Sequence, residues 1–274
     1  MVQTVKALLA KHGIFAMAPL PLSDCDVRKP YLLERAGIEK GTAFLFAVPY
    51  YTTNCDDPAS NVSAYATSRD YHRFFEELFA TLLPTLRSAF PQNRFAGFTD
   101  HSPIDEVSAA VRAGLGFQGR NHLFLTKEHS SFVFLGEIVT DAVLELPKAT
   151  PLQCDACDAC LRACPVGLDI SRCLSALTQK KGELTKEEKE RILAHGCAWG
   201  CDICQRACPV TKHARESGTL YTTIPYFTES ALPPLSSRIV EEMSDEEFAT
   251  RAYSWRGRAV ITRNLKMLEK GDAE

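Results

Sequence analysis

Nine of the eleven cysteines in this chain lie between Cys154 and Cys208. The first run spaces four cysteines by two, two and three residues and ends in Cys-Pro: Cys154, Cys157, Cys160 and Cys164. The second run also ends in Cys-Pro and supplies Cys201, Cys204 and Cys208. Two such runs are typical of proteins that hold two [4Fe–4S] clusters, in which the last cysteine of each run ligates the other cluster. The pattern indicates an electron carrier or a redox enzyme.

The second run is one ligand short, because a complete copy of the first would carry cysteine where Ala198 stands. Spacing leaves two candidates open, Cys173 and Cys197. A zinc site made of paired CxxC units would leave the third cysteine of the first run and both Cys-Pro ends unexplained. Cys25 and Cys55 lie outside the runs and are expected to be small buried apolar residues.

Composition narrows the class of protein. The 274 residues carry a net charge of −3, which argues against binding nucleic acid through overall charge and leaves a local basic face possible. No apolar run approaches the ~20 residues of a membrane span, and the N-terminus lacks the pattern of a signal peptide. We therefore expect a cytoplasmic protein with reduced thiols, so the clustered cysteines indicate metal rather than disulfides.

The elements that must position these residues follow from hydrophobic periodicity and turn signals. The first 40 residues predict two helical pieces around a turn at Pro19–Pro21. Apolar runs predict strands, and apolar residues at helical spacing predict helices. The predicted strands are 43–51, 95–100, 121–125 and 131–140, the last two of them joined by a turn. The predicted helices are 71–88, 104–113, 185–191 and one that begins at Ser244. This alternation indicates an α/β or α+β domain over about 1–150. A cysteine-rich module over 151–215 and a C-terminal segment over 216–274 follow it.

Several segments resemble the cobalamin-dependent, iron–sulfur epoxyqueuosine reductases, a family distantly related to reductive dehalogenases. The matching segments occur in family order over nearly the whole chain: 65–72, 98–103, 112–121, 134–140, the cysteine module with Arg172-Cys-Leu-Ser-Ala-Leu-Thr178, 254–258 and 263–264. The resemblance implies an α+β fold with an α/β-like cobalamin-binding domain, followed by a bacterial ferredoxin-like domain with two clusters. The third segment, 216–274, should pack back on the core.

The resemblance also assigns the open ligand, because the family's Arg-Cys-Leu-Ser element contributes a thiolate, here that of Cys173. One cluster would be held by Cys154, Cys157, Cys160 and Cys208, and the other by Cys164, Cys173, Cys201 and Cys204. Cys197 then becomes a bystander.

The family's catalytic acid matches Asp100. Reduction of an epoxide to an alkene expels oxygen, which a carboxylic acid can protonate as it leaves. Asp100 also precedes a predicted helix, so an N-cap or an Asx turn is the alternative explanation. Base-off cobalamin is implied over the α/β domain, with matched contact positions at Ser63, Asp100, Phe124, Leu135, Cys201 and Asp202. Ordinary core packing explains Phe124 and Leu135 equally well. His72 lies near this pocket and is not expected to ligate cobalt, since no Asp-x-His-x-x-Gly motif is present.

The chain departs from the family at its C-terminus, where longer members continue into helical repeats that grip tRNA. The expectation is a short form in which a patch of Arg256, Arg258, Arg263 and Lys266 contacts phosphate, or else forms a solvated helix face. The implied reaction is epoxide reduction in queuosine tRNA modification, with a low-potential donor of the ferredoxin or flavodoxin type. Two alternatives stay open: the same chemistry on a non-tRNA substrate, and a non-catalytic double-cluster electron-transfer protein.

Overall fold

The computed structural model describes residues 1–232 and 234–271. These residues form two compact units. The first comprises 1–49 and 72–157, and the second comprises 50–71 and 158–274. Pro233 and residues 272–274, which belong to the predicted C-terminal segment 216–274, lie outside the described residues. The structure mixes helix and sheet, as the sequence predicts. Among the described residues, no helix is long and apolar enough to cross a membrane.

The first unit is built on a four-stranded antiparallel sheet in the order β1-β2-β6-β3. Its strands are β1 (Ala16–Pro21), β2 (Thr42–Pro49), β3 (Phe95–Phe98) and β6 (Val133–Thr140). A separate short hairpin pairs β4 (Phe117–Gln118) with β5 (Phe124–Leu125). The helices are α1 (Val2–Ala10), α2 (Pro30–Ala36), α3 (Tyr71–Ala89) and α4 (Glu106–Arg112).

The central strands are buried on both faces, so successive side chains of β2 and β6 contact different helices. Gly136 allows this packing on the α3 face, because a Cβ there would lie 2.3 Å from the ring of Phe75. On the other face, Leu45 and Leu135 share a core cluster with Ala109 of α4. Glu137 pairs with Leu45 across the sheet and therefore belongs to the α4 face.

One local prediction needs correction. The prediction of a turn at Pro19–Pro21 is wrong, because these residues form the end of β1. A strand at the edge of a sheet tolerates proline, because its outer edge forms no hydrogen bonds to another strand and needs no N–H donor there. The strands predicted at 121–125 and 131–140 are joined by a turn, as the sequence predicts, and in this turn Thr126 pairs with Ser130. β5 pairs with β4, while β6 pairs with β2 and β3.

The second unit is helical. Its helices are α5 (Ala159–Ala163), α6 (Leu174–Thr178), α7 (Lys186–His195), α8 (Ile203–Arg206), α9 (Pro209–Glu216), α10 (Pro225–Thr228), α11 (Ser237–Glu242), α12 (Asp245–Ala249) and α13 (Arg258–Gly271). Trp199 and Tyr253, both fully buried, contact each other edge to face in its main core. Ser244 caps α12 through a hydrogen bond from the Glu247 N–H, as the sequence predicts.

Candidate functional site

The two cysteine runs place equivalent residues on two short helices of the second unit. Cys160 lies on α5 and Cys204 on α8, and these two helices pack against each other. Each helix is followed by a Cys-Pro pair: Cys164 caps the end of α5, and Cys208 precedes Pro209 at the start of α9. Adjacent helices that carry equivalent ligands are the arrangement that interlocked clusters require.

The predicted ligands of the second cluster all belong to the second unit. Cys173 begins α6, and Cys201 is partly buried. Burial, and then the neighbouring Asp202, Cys204 and Cys173, raise the pKa of the Cys201 thiol to about 12. Cys201 therefore lies within electrostatic reach of two other predicted ligands. Bound iron would favour the ionised thiolate despite this raised pKa, because a thiol that coordinates a metal is deprotonated.

The predicted donor set consists of thiolates, the ligands that iron–sulfur clusters take, and its assignment to two clusters stays a prediction. In the described part of the chain, no group of three or more His, Cys, Asp or Glu side chains is placed to hold one metal ion. A cubane binds each thiolate at a different iron atom, so its ligands stand further apart than those of one ion. Cys154 and Cys157 belong to the first unit, and their ligation of a cluster with Cys160 and Cys208 stays a prediction.

Cys197 lies close to the predicted ligand Cys201. Its thiol donates to the backbone carbonyl of Trp199 at 3.3 Å. Burial raises the pKa of this thiol to about 12, as it does for Cys201. The assignment of Cys197 as a bystander stays a prediction.

The loop before Cys201 is braced by Ser63 and Asp202, two of the residues matched to corrinoid contacts. The Ser63 hydroxyl donates to Asp202 Oδ1, and the Ala64 N–H donates to Asp202 Oδ2 at 2.7 Å. The Ser63 N–H donates to the Trp199 carbonyl at 2.7 Å. Burial raises the pKa of Asp202, and the bonds from Ser63 and Ala64 oppose that rise. In the structure, both side chains hold the Cys201 loop, and their contact with a corrinoid stays a prediction.

Two further residues position this loop. Gly200 has a φ of +79°, and a Cβ on it would lie 2.3 Å from Cβ of Ser63. The fully buried Asn264 donates from Nδ2 to the carbonyls of Thr178 at 2.7 Å and Ala198 at 2.9 Å. The sequence analysis gave neither residue a role. The only signal available for Asn264 was its place in a family motif.

In the first unit, Asp100 follows β3 in a left-handed backbone conformation with a φ of +55°. Its Oδ2 lies 3.1 Å from Nε2 of His72, and its side chain is about half exposed at 48%. The alternative explanation as a helix N-cap does not apply, because Asp105 caps α4 by accepting the Ser108 N–H at 3.0 Å. A non-glycine residue held in this conformation next to a histidine is a candidate site for proton transfer.

Two carboxyl groups missed by the sequence analysis lie behind Asp100. Glu137 is fully buried on β6, and its Oε1 accepts a hydrogen bond from the Ser102 hydroxyl. Glu106 begins α4 and accepts the backbone N–H of Asp100. Burial raises the pKa of Glu106 to about 7 and raises that of Glu137 well above its ordinary value. The available signal was a glutamate inside the apolar strand predicted at 131–140.

Phe124 and Leu135 lie in the hydrophobic core of the first unit, 6% and 8% exposed. They pack in the cluster that also contains Ala109 and Val139. Their matched contact with cobalamin stays a prediction, and core packing accounts for both in the structure. The matched corrinoid positions are divided between the two units.

The second unit carries a basic pocket of about 320 Å³ beside Cys173. Five cationic side chains and one carboxylate line it: Arg172, Lys180, Lys181, Arg191, Arg256 and Glu188. The guanidinium of Arg256 stacks on Trp255 at 3.8 Å, and Trp255 is 57% exposed.

The other members of the predicted phosphate patch make contacts within the protein. Arg258 donates to the carbonyls of Val240 and Ser244. Arg263 donates to the carbonyls of Gly182 and Lys180, and Lys266 pairs with Glu241 at 2.6 Å. Arg256 alone of the predicted patch lines the basic pocket.

Comparison with known proteins identifies relatives. No family model matches the chain. The epoxyqueuosine reductase of Listeria monocytogenes is 34% identical over 203 residues, which cover 71% of this chain and 53% of that protein. The chain thus spans about half the length of this curated relative.

Solved structures agree on the fold. The Streptococcus thermophilus epoxyqueuosine reductase superposes with a TM-score of 0.77 at 22% identity, covering 100% of this chain and 82% of that one. An epoxyqueuosine reductase solved with an epoxyqueuosine-modified tyrosine tRNA stem loop gives a TM-score of 0.73 at 24% identity, covering 97% and 81%. Together with the Listeria sequence match, this similarity shows that the chain belongs to the epoxyqueuosine reductase family.

Proposed function

We propose that this protein is an iron–sulfur, cobalamin-dependent oxidoreductase that reduces the epoxide of a queuosine precursor in tRNA to an alkene. The reaction consumes two electrons and two protons, breaks both carbon–oxygen bonds of the epoxide and releases its oxygen as water. The family membership and the Asp100–His72 pair support this proposal. The relative solved with a modified tRNA stem loop supports the substrate class.

The observation that carries the proposal is the geometry of Asp100. Its carboxyl group is about half exposed, so substrate can reach it, and His72 Nε2 lies 3.1 Å from its Oδ2. The Thr99 hydroxyl donates to the Leu135 carbonyl at 2.8 Å and ties the segment before Asp100 to β6. Asp100 would protonate the departing oxygen, and His72 would return a proton to Asp100.

The cofactors follow from the donor set and the family. When bound, cobalamin and the two clusters supply the electrons for the reduction. Cys164, Cys173, Cys201 and Cys204 would hold one cluster, and Cys154, Cys157, Cys160 and Cys208 the other. Ser63, Phe124, Leu135, Asp202 and the backbone of Cys201 would contact the corrinoid. The half-exposed carboxyl group of Asp100, paired with His72, favours the enzyme over an electron carrier without catalysis.

We propose that RNA contacts the basic pocket beside Trp255. An exposed aromatic ring next to clustered cations suits stacking on a base and contact with phosphate. Arg256 links the two features, since it stacks on Trp255 and lines the pocket. A low-potential protein of the ferredoxin or flavodoxin type would supply the electrons.

The acid is tested with anaerobically reconstituted protein and tRNA that carries the epoxide. Asp100→Asn keeps the shape of the side chain and removes its acidic proton, so turnover should fall about 100-fold or more. Iron and cobalt contents should stay at wild-type levels. Asp105→Asn, a matched change at the neighbouring helix cap, should retain turnover. Full activity in Asp100→Asn, or no cobalamin binding by the wild type, would overturn the proposal.

The RNA contact is tested by gel shift with the same tRNA over a range of salt concentrations. Trp255→Ala and Lys181→Glu should each weaken binding, and Lys181→Glu should also flatten the salt dependence. Lys189→Glu is the matched control, because Lys189 is exposed on α7 and does not line the pocket. Equal losses from Lys181→Glu and Lys189→Glu would show that overall charge rather than the pocket binds the RNA.

A further inference from the structure

Two arginines of the second unit lie directly opposite each other. Arg69 and Arg251 form an isolated antiparallel bridge. Side chains at opposite positions of such a bridge lie on the same face with their Cβ atoms about 4.5–5.5 Å apart, and like charges there are unfavourable. Arg251 is 6% exposed and pairs with Glu247 at 3.5 Å. Glu247 therefore compensates the charge of Arg251 and leaves that of Arg69.

The guanidinium of Arg69 has no acceptor within the protein. Its central carbon lies 4.5 Å from the centre of the Tyr226 ring. Among the described residues, no carboxylate or carbonyl pairs with this guanidinium, and its Nε is buried without a hydrogen-bond partner. Arg258 shows the contrast, because it also lies over an aromatic ring, that of Phe248 at 4.3 Å. Arg258 nevertheless donates to two backbone carbonyls and pairs with Asp245 at 3.0 Å.

The contacts around Arg69 hold its backbone and the ring beneath it. The Tyr226 hydroxyl donates to the Asp70 carbonyl at 2.7 Å. The Ser230 hydroxyl donates to the Tyr226 carbonyl at 2.6 Å and accepts the Arg69 N–H at 3.1 Å. Arg251 Nη1 donates to the Ser230 carbonyl at 2.8 Å. None of these bonds uses the guanidinium of Arg69. Stacking occupies one face of that group, so the N–H donors at its edge stay available on a partly exposed side chain.

An anion suits this arrangement. Arg251 is more than nine-tenths buried, and its Nε also has no hydrogen-bond partner among the described residues. Buried donors without acceptors are rare in folded proteins, and a bound ion is one of their explanations. The planar edge of a guanidinium binds two oxygens of a phosphate at once through parallel N–H···O bonds. A phosphate group therefore matches both the charge and the donors of this pair.

We propose that Arg69, stacked on Tyr226 and backed by Arg251, binds the phosphodiester group of a bound molecule. Two sources share this chemistry: a backbone phosphate of the RNA, and the phosphate in the nucleotide tail of cobalamin. Both come from the proposed function, on which this inference rests for its ligand. The negative charge of the phosphodiester would offset the repulsion between the two arginines. The site is separate from the basic pocket beside Cys173, which Arg69 does not line.

Three variants of the full chain separate a binding role from a structural one. Arg69→Gln removes the charge, and Arg69→Lys keeps the charge without the planar fork. Arg238→Gln is the matched control, because Arg238 is 83% exposed and pairs only with Glu242 on its own helix, at 2.7 Å, among the described residues. Without ligand, the urea midpoint of Arg69→Gln should agree with wild type within about 0.3 M, since lost stacking and relieved repulsion nearly offset each other. A clearly lower midpoint would show that Arg69 serves the fold and would overturn the inference.

The RNA source is tested by gel shift with the epoxide-bearing tRNA over a range of salt concentrations. If Arg69 binds a backbone phosphate, Arg69→Gln should weaken binding about tenfold or more. It should also reduce the slope of log affinity against log salt by about 0.7–0.9, the share of one phosphate. Arg69→Lys should keep the slope and lose part of the affinity. Arg238→Gln should change neither quantity.

The cobalamin source is tested by equilibrium dialysis against cobalamin and against cobinamide, the corrinoid that lacks the nucleotide tail and its phosphate. If Arg69 binds that phosphate, Arg69→Gln should weaken cobalamin binding about tenfold or more and leave cobinamide binding unchanged.

The two assays together decide the inference. A selective loss in either one supports the phosphodiester site and names its source. Arg69→Gln that binds tRNA and cobalamin as Arg238→Gln does would overturn the inference and leave the proposed reductase intact. Unchanged RNA binding with equal losses of cobalamin and cobinamide would also overturn it, because the phosphate would not be the contact. A wild type that binds neither tRNA nor cobalamin would overturn the proposed function as well.

Discussion

Replacing Gly200 by alanine tests how the loop before Cys201 is built. Gly200 has a φ of +79°, which an alanine adopts at a cost of about 1–2 kcal/mol. The reduced freedom of the unfolded chain returns about 0.4–1 kcal/mol. The new Cβ would also lie 2.3 Å from Cβ of Ser63, a carbon fixed to the backbone that cannot rotate away.

Gly218 offers a matched control. Its φ is +77°, and nothing lies within 4 Å of the Cβ that an alanine would add. Gly218→Ala should therefore show the backbone effect alone, about 1 kcal/mol. Gly200→Ala should cost a further 1–3 kcal/mol, roughly the usual penalty for inserting a methyl group into a packed site.

The assay is urea unfolding of both variants under anaerobic, reducing conditions. At an m-value of about 3 kcal/mol/M, the extra destabilisation of Gly200→Ala lowers the midpoint by about 0.3–1 M relative to Gly218→Ala. The displaced Cys201 should also reduce reconstituted iron from about eight towards about four atoms per chain. Equal midpoints and equal iron contents in the two variants would refute the claim that Ser63 fixes the loop by direct contact.

Three further predictions concern other parts of the two units. Asn264→Ala leaves the buried carbonyls of Thr178 and Ala198 without donors and should lower the free energy of unfolding by about 2–4 kcal/mol, which urea unfolding would detect. Cys173→Ser should lose about half of the reconstituted iron and Cys197→Ser none, and the opposite result would make Cys197 the ligand. The third concerns pH. Because burial raises the pKa of Glu106 from 4.5 to about 7, its proton is bound more tightly in the folded protein. This contribution, about 3 kcal/mol, is present below about pH 4.5 and lost as pH rises through 7; unfolding curves of the wild type should show it and those of Glu106→Gln should not.

Hydrophobic patterning correctly predicted the helices and strands whose residue pattern matches the way they pack in the folded protein. The helix predicted at 71–88 is α3, and the strands predicted at 43–51 and 95–100 are β2 and β3. The turn predicted at Pro19–Pro21 failed because the local proline signal was overridden by pairing with β2, which lies more than 20 residues further along the chain. Proline shows that a segment lacks a backbone N–H donor at that position. It does not show whether the segment forms a turn or a strand at the edge of a sheet.

Cysteine spacing predicted the kind of metal centre and could not identify the eighth ligand. Both Cys173 and Cys197 lie within electrostatic reach of Cys201, and the Cys197 thiol also donates to the carbonyl of Trp199. These contacts join residues from separate helices and loops, so the family motif was needed to choose between the two.

The environment of Asp100 was the least predictable feature of the site. One residue in it, Glu137, nevertheless gave a signal in the sequence. Asp100 and Glu106 each have ordinary explanations near a helix start, and the left-handed conformation has no unique sequence signature. Glu137 differs, because the strand that contains it was predicted to be apolar and the structure buries it on both faces. A carboxyl group in such a strand must have either a cation or a proton. Burial, and then the nearby Glu106 and Asp100, raise the pKa of Glu137 well above its ordinary value, so this position departs from the rule that buried strand residues are apolar.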